Sequence, residues 1–531
     1  MEYSSQANTF THRFDFSNIR REDAWAEKIA EEIIAQKPNE TVYTLAAGIS
    51  PSGIVHFGNF RDIATAHFVR EALIQKGKQA RLIFSWDNFD RYRKVPVGVP
   101  ESFVEHIGKP LSSIPDPFPD AIRGTLPSYA ERFQKPFIEA IEKLNIEIEY
   151  RDQTKLYQSG MYDEAIFHTL KERKRIADIL LSFMTEKAKK EKGIDPDIYR
   201  ENYYPIAVYS RFTGKDSTKI LSYDGGTHVT YLCEETGNIE TVDLAKEHIA
   251  KCAWKIDWPM RWKHEQVHFE PGGHDHASPG GSYDVASVIA KEIFNYDAPI
   301  FAEYKFVGIQ GLGSKMSGSK GNAVSLLDLL DIYEPEVLKW LYARKSPTQS
   351  FELAFNSEIY RQYNEYDTAH PEETRIPFRQ AVSFGQIVQW QEDKLNTILV
   401  ALQFSYSKES IQSRLPLAKK WLTKYNPNEM ITLREMVYQE YADTLTEKEK
   451  EQVRVLRKAL IEKENASIPE LEALTYHIPK SPGQTEAELK KAQRAFFKTI
   501  YILLINRDTG PRLGTFLWAT DRKKVLALLD I

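Results

Sequence analysis

The succession that most constrains this chain lies between residues 41 and 87. "TVYTLAAGI" (41–49) is a short apolar run rich in β-formers that ends near Gly48, the profile of a buried strand. "DIATAHFVREALIQKGK" (62–78) has helical spacing and carries Gly77 near its C-terminal cap. "ARLIFSWD" (80–87) reads as a second strand. Strand, glycine turn, helix and strand within about fifty residues make a βαβ unit, which predicts a parallel sheet with a right-handed crossover.

A chain of 531 residues exceeds what one hydrophobic core can serve, so three or more domains are expected. "DAWAEKIAEEIIAQK" (23–37) spaces Trp25, Ile29, Ile33 and Ile34 as an amphipathic helix. Residues 95–135, rich in Pro, Gly and Ser, interrupt the alternation. The stretch 130–230 reads as mostly helical, with basic runs "LKERKRI" (170–176) and "EKAKKEKG" (186–193). A small β-rich element is expected around "THVTYLCEETGNIETVD" (227–243). Alternation resumes at "KCAWKIDW" and "EQVHFEPGGHDH", each expected to run from an apolar strand into a glycine turn. Beyond residue 375 the pattern is helical, as in "LKKAQRAFFKTIYILLINR".

No run of about eighteen apolar residues marks a membrane span, and the first residues lack the apolar core of a secretory signal. Two cysteines, Cys233 and Cys252, argue against a disulfide framework and for a reducing, cytoplasmic setting. The net charge of −5 gives no global sign of nucleic acid, but phosphate binding rests on local patches.

Two glycine-rich stretches carry the chemistry. In "GISPSGIVHFGNFRD" (48–62), Gly48, Pro51, Ser52, Gly53 and Gly58 lie where a strand gives way to a helix. In open α/β sheets ligands sit at that place, and the helix N-terminus attracts anions. His56 and Asn59 are candidate donors to phosphate, although the turn also suits a packed histidine. In "GIQGLGSKMSGSKGN" (308–322), Lys315, Ser317, Ser319 and Lys320 sit among five glycines. A lysine so placed suits neutralisation of a triphosphate, and a basic surface loop is the plainer reading. The spacing is not that of a P-loop.

"PSGIVHFGN" resembles the HIGH signature of class I aminoacyl-tRNA synthetases, and "KMSGS" their KMSKS signature. With "RLIFSWDNFDRYRKVP", "WKIDWPMRW" and "GGHDHASPGGSYD", they resemble the class I lysyl-tRNA synthetases over about residues 41–375. The resemblance implies an α/β, Rossmann-like catalytic domain with a helical insertion, a stem-contact region and a C-terminal all-α anticodon-binding domain. Residues 1–100 would hold the N-terminal helix and first half of the catalytic domain, 101–245 the acceptor-arm insertion, and 246–310 the second half. Residues 311–375 would hold the KMSKS loop and stem-contact region, and 376–531 the anticodon-binding domain.

It also implies ATP with Mg²⁺, L-lysine and tRNA(Lys) as partners, no membrane, and a monomer. His56 and Asn59 would contact the triphosphate beside Pro51, with Gly58 letting adenine approach. Lys315 would neutralise the leaving pyrophosphate, helped by Met316, Ser317 and Ser319. Gly272 and Gly273 would admit the ribose and Asp275 accept from its hydroxyls; Asp275 also suits a helix N-cap. Gly48, Ser50, Asp87, Trp254, His276 and Tyr304 are the expected lysine pocket. Asp87 would take the α-amine, or else pair with Arg91 or Arg93; Trp254 and Trp258 suit a core equally well.

Two departures stand out. The second KMSKS lysine is Gly318 here, with Lys320 nearby. Relatives often carry a C-x-x-C knuckle where this chain has Cys233 and Thr236, so no structural zinc is expected, and His264, His268, His274 and His276 are not expected to replace it. Rival readings are a glutamyl- or glutaminyl-type synthetase and a nucleotidylyltransferase of small metabolites. The basic helices would meet acceptor-arm phosphates or serve as solvated helix faces. Arg and Lys interleave with aromatics in "KKWLTKYNPNEM" and "RAFFKTIY", and stacking of anticodon bases on C-terminal aromatics is the expected recognition mode, without particular residues assigned to it.

Overall fold

The computed structural model describes residues 3–19, 24–119, 123–311 and 324–531. Its centre is a five-stranded parallel sheet built from β1 (Val42–Ile49), β2 (Gln79–Trp86), β3 (Glu149–Asp152), β4 (Val267–Gly273) and β5 (Ile300–Tyr304). The spatial order is 3-2-1-4-5. The chain leaves β1 towards one edge and returns at β4 to build the other. The carboxyl ends of β1 and β4 therefore flank a topological switch point, where such sheets open a crevice.

β1 is apolar and buried over most of its length, as a central parallel strand must be. β1 pairs with β2 in unbroken register from Val42↔Gln79 to Ile49↔Trp86. Its pairing with β4 is irregular: Thr44↔Val267 is followed directly by Leu45↔Phe269. The skipped residue is His268, whose Nδ1 accepts from the Thr44 N–H at 3.0 Å. A side chain thus satisfies the donor released by the break.

The helices α1 (Trp25–Gln36) and α2 (Phe60–Gln75) follow the sequence expectation. α2 is buried on most faces, and its Arg61 is buried too. That guanidinium donates to the carbonyls of Tyr342 and Ser346 at 3.0 and 2.8 Å. Tyr342 Oη donates in turn to the Phe57 carbonyl at 2.8 Å. The glycine turn before α2 is thereby braced from behind.

Two expectations change. "KCAWKIDW" contains only a three-residue strand, Ala250–Cys252, and then enters a helix, α3 (Trp254–Glu265). The reason is the i, i+4, i+8 spacing of Trp254, Trp258 and Trp262 on one face; Pro259 removes a single backbone donor without ending the helix. Second, β3 comes from inside the stretch 101–245 expected as an insertion. It is four residues of "EYRD", too short and polar to signal a strand by apolar pattern. α4 (Ser282–Glu292) then covers the sheet beside α3.

Around residues 205–243 lies a three-stranded antiparallel sheet, Thr218–Tyr223, His228–Cys233 and Ile239–Asp243. Two turns near it share one design. In one, Gly214 N–H donates to the Ser210 carbonyl at 2.7 Å and Lys215 N–H to Thr213 Oγ1 at 3.3 Å. In the other, Gly237 N–H donates to the Cys233 carbonyl at 2.8 Å and Asn238 N–H to Thr236 Oγ1 at 3.3 Å. Both glycines take positive φ, +72° and +71°.

Contacts divide the chain into two units. The first comprises Met1–Gly308, Gly313–Leu330 and Leu338–Leu353; the second comprises Ile309–Leu312, Asp331–Val337 and Ala354–Ile531. The second is helical, with capping boxes opening Glu447–Glu462, Ile468–His477 and Glu486–Ile505. Its buried Arg414 donates to Glu334, Asp367 and the Ile376 carbonyl at 2.6–2.8 Å. Trp421, Phe496 and Tyr501, in the stretches where basic residues interleave with aromatics, are buried. They fill this unit's core. Likewise Arg173 caps the carbonyls of Glu201 and Tyr203 and Arg175 pairs with Glu292, so the 170–176 run is partly structural.

Candidate active site

The turn between β1 and α2 fixes two donors. Gly58 N–H donates to His56 Nδ1 at 3.0 Å, so the proton of the neutral ring resides on Nε2. Burial lowers the His56 pKa, which keeps the ring neutral at physiological pH. His56 N–H donates to Asn59 Oδ1 at 3.1 Å, leaving the Asn59 amide as a donor. A Cβ on Gly58 would stand 2.8 Å from His56 Cε1, so this glycine makes room for the histidine ring. Beyond the lysine-rich stretch, the chain returns here: Phe57 N–H donates to the Val324 carbonyl at 3.3 Å, and His56 bridges Ser325. Lys315, Met316, Ser317, Ser319 and Lys320 themselves lie outside the described residues.

The crevice at the switch point gathers Gly48, Asp87, Trp254, Gly272, Gly273, His276 and Tyr304. Of the expected lysine pocket, Ser50 alone lies elsewhere, in a neighbouring pocket that it shares with His56 and Asn59. Pro51 is buried in the turn and Asp275 is exposed. The N-cap of the short helix His274–Ala277 is Gly273, so Asp275 is not the cap. Gly272 has a packing reason: a Cβ there would meet the Phe301 ring at 2.5 Å. His276 lies 5.5 Å from Trp258, which stacks on Trp254 at 5.1 Å between ring centroids. Trp254 Nε1 is buried without a partner among the described residues. Trp254 is half-buried; it lines the crevice and packs against the core cluster that holds Trp258 and Trp262.

Asp87 is satisfied by neither Arg91 nor Arg93. Its Oδ1 accepts from Arg261 at 2.6 Å. Arg261 also pairs with Asp257, which accepts from Lys251 at 2.9 Å and from the Tyr157 hydroxyl. Burial raises the Asp87 pKa to about 6 against the pull of Arg261. Burial pushes the Lys251 and Arg261 pKa values down, but the acids around them prevail and hold both above their ordinary values.

A second acid pair in the same crevice makes no ion pair among the described residues. Asp62 on α2 and Glu270 on β4 both line it. Among the described residues, Asp62 Oδ2 accepts a backbone N–H, from Gly48 at 3.2 Å, and Glu270 Oε2 accepts from Trp262 Nε1 at 2.6 Å. Burial raises Glu270 to about 7. Burial, with the Glu270 charge added, raises Asp62 well above the carboxylate range. Neither acid was singled out in the sequence. Glu270 had one signal, as an acid inside the apolar stretch "VHFEP"; Asp62 had none until the fold buried the first turn of α2.

Among the described residues no three His, Cys, Asp or Glu gather as a metal site, and no helix is long and apolar enough to cross a membrane. His264, His268, His274 and His276 are spread apart: His268 serves the sheet, and His274 pairs with Glu303 at 2.7 Å.

Comparison with known proteins gives one answer. The sequence is 36% identical to a "Lysine--tRNA ligase" of Streptomyces coelicolor, over 95% of this chain and 98% of that protein. It is 33% identical to one of Pyrococcus horikoshii, over 96% and 99%. It is 32% identical to one of Borrelia garinii subsp. bavariensis, over 93% and 96%. Residues 23–382 match the family described as tRNA synthetases class I (K). With the 3-2-1-4-5 sheet and the crevice at its switch point, that match settles descent: the chain belongs to the class I (K) tRNA synthetases.

Proposed function

We propose that this chain joins L-lysine to tRNA(Lys) at the expense of ATP, through lysyl-adenylate. The observation that carries the proposal is the Asp62–Glu270 pair. Two desolvated carboxylates with no ion-pair partner among the described residues are costly, and a ligand ammonium removes that cost. The relatives named as lysine–tRNA ligases agree with this reading. A glutamate-type pocket needs a free cation for the substrate carboxylate. Arg261 does line the crevice, but Asp87 and Asp257 already occupy it.

In this reading the lysine side chain enters past Trp254, His276 and Tyr304, and its ε-ammonium sits between Asp62 and Glu270. The α-amine lies near Gly48 and the free oxygen of Asp87, with Ser50 at the rim. The lysine carboxylate oxygen bonds to the α-phosphorus of ATP as the bond to the β-phosphate oxygen breaks and pyrophosphate departs. His56 Nε2–H and the Asn59 amide donate to the phosphate oxygens, supplying charge stabilisation without a protein nucleophile. Lys315, with Met316, Ser317 and Ser319, neutralises the leaving pyrophosphate. Asp275 accepts from ribose hydroxyls beside Gly272 and Gly273, and Pro51 and Gly58 shape the nucleotide wall. A hydroxyl at the tRNA 3′ end then takes the lysyl group and AMP leaves. Mg²⁺ arrives with the ATP phosphates rather than in a carboxylate cage.

Residues 101–245 would meet the acceptor arm and 376–531 the anticodon. The enzyme would act as a monomer in the cytoplasm and without structural zinc.

The test is amino-acid-dependent ATP–pyrophosphate exchange across the twenty amino acids, with and without tRNA. Exchange with lysine is expected. Exchange with glutamate instead would sink the specificity, and none even with tRNA would sink the activity.

A further inference from the structure

Beside the crevice lies a second, open pocket of about 440 Å³, and its two walls are chemically matched. One wall is the turn before α2, with Ser50, Ser52, His56 and Asn59. As shown above, His56 and Asn59 both present N–H groups rather than lone pairs. The other wall is the arm that follows β2, "DRYRK" (90–94), carrying Arg93 and Lys94.

That arm is held in place by the backbone. Leu111 N–H donates to the Asp90 carbonyl at 3.0 Å, Tyr92 N–H to the Lys109 carbonyl at 2.8 Å, and Gly108 N–H to the Tyr92 carbonyl at 2.9 Å. Tyr92 is buried, so in the extended arm Arg91 and Arg93 fall on the opposite, exposed face. Arg91 is engaged, with Nε 3.3 Å from Asp216 Oδ2. Asp90, the acid on this arm, faces Lys251 at 3.5 Å. Arg93 and Lys94 make no ion pair among the described residues. Two exposed cations on a fixed arm, opposite two neutral N–H donors, form a site for an oxyanion carrying more than one charge.

We infer that Arg93 and Lys94, with His56 and Asn59, bind a phosphate of one of the substrates during the ligase reaction. The inference rests on the function proposed above, which fixes two sources of phosphate, ATP and the tRNA 3′ end. Both offer the same chemistry, and their kinetics separate them. Neither Arg93 nor Lys94 packs into the core, so their replacement leaves the fold intact.

The experiment compares wild type with the double variant Arg93→Ala/Lys94→Ala and with Arg93→Lys. Three quantities are read: the KM for ATP in lysine-dependent pyrophosphate exchange at saturating tRNA, the KM for tRNA in aminoacylation with its salt dependence, and the thermal shift produced by lysine alone. The double variant is expected to raise one KM at least tenfold and leave the lysine shift unchanged, with Arg93→Lys recovering part of the loss. If the ATP constant moves, the phosphate is that of the nucleotide. If the tRNA constant moves and the salt slope flattens by about one unit, it is that of the 3′ end. Both constants within twofold of wild type would overturn the inference. Failure of the lysine reading would look different, because wild type itself would then show no lysine-dependent exchange.

Discussion

Two acid clusters share the crevice at the ends of β1 and β4, and they have opposite fates. Asp87 and Asp257 face Arg261 and Lys251 at 2.6 and 2.9 Å in a network whose charges are answered within the protein. Among the described residues, Asp62 and Glu270 are answered by one backbone N–H and one indole N–H. Desolvation acts on both clusters. The first is closed within the protein except for one free oxygen of Asp87; in the function proposed above, the second is completed by the lysine ammonium. Buried charge in an enzyme thus marks a site where the protein leaves it uncompensated.

The largest effect should come from breaking the finished cluster. Asp257→Asn leaves Arg261 and Lys251 with too little negative charge in a buried setting, and removing one partner of a buried ion pair costs about 3–5 kcal/mol. Urea denaturation should show a loss of that order. A loss below about 1 kcal/mol would mean that solvent reaches the network and that the contrast with Asp62 and Glu270 is one of degree.

Glu270→Gln tests the open cluster and should behave in the opposite way. A charge-assisted bond to the lysine ammonium contributes about 1.5–3 kcal/mol, so the KM for lysine should rise about 10- to 150-fold. The unliganded protein should be no less stable, since an uncompensated buried acid is removed. The pH dependence has a defined sign. With its pKa raised to about 7 in the folded protein, Glu270 holds its proton more tightly folded than unfolded. Its contribution to stability is therefore present at low pH and lost as pH rises from the ordinary carboxylate range through about 7. In the proposed function lysine binds the ionised form of Glu270, so the rise in Tm produced by lysine should be larger at pH 8 than at pH 6 and should lose that trend in Glu270→Gln. An equal shift at both pH values would remove Glu270 from the ammonium site.

Much of this was legible in the sequence. The βαβ unit, the glycine turn and the gathering of Gly48, Asp87, Trp254, His276 and Tyr304 in one crevice could be read because apolar runs, turn formers and spaced motifs are local signals. What escaped was of two kinds. β3 is short and polar, and only its neighbour β2 makes it a strand. Asp62 and Arg261 are ordinary charged letters until tertiary packing buries them, Glu270 stands out only as an acid in an apolar stretch, and no local pattern says which acid will meet which base. Gly58 shows a subtler limit. Its place in the motif was evident, but the clash it avoids, with the ring of His56 two residues before it, depends on a side-chain conformation.

The twin turns at Ser210–Lys215 and Cys233–Asn238 extend the same contrast to a site where a metal would be expected in a cysteine-rich relative. Burial raises the Cys233 thiol, but hydrogen bonds from Ser210, Thr236 and the backbone of residues 235 and 236 outweigh it and bring the pKa down to about 7. The sulfur and the turn donors are thus answered by hydroxyls and amides, as Asp87 is answered by Arg261. On that footing the purified protein should hold no stoichiometric zinc, and a chelator should leave Tm unchanged. Thr236→Val, which keeps the volume and deletes the hydroxyl, should cost about 0.5–1.5 kcal/mol and raise the pH at which the Cys233 thiol reacts with a disulfide reagent in mild denaturant. Stoichiometric zinc, or a fall in Tm on chelation, would show that this corner too waits for a ligand.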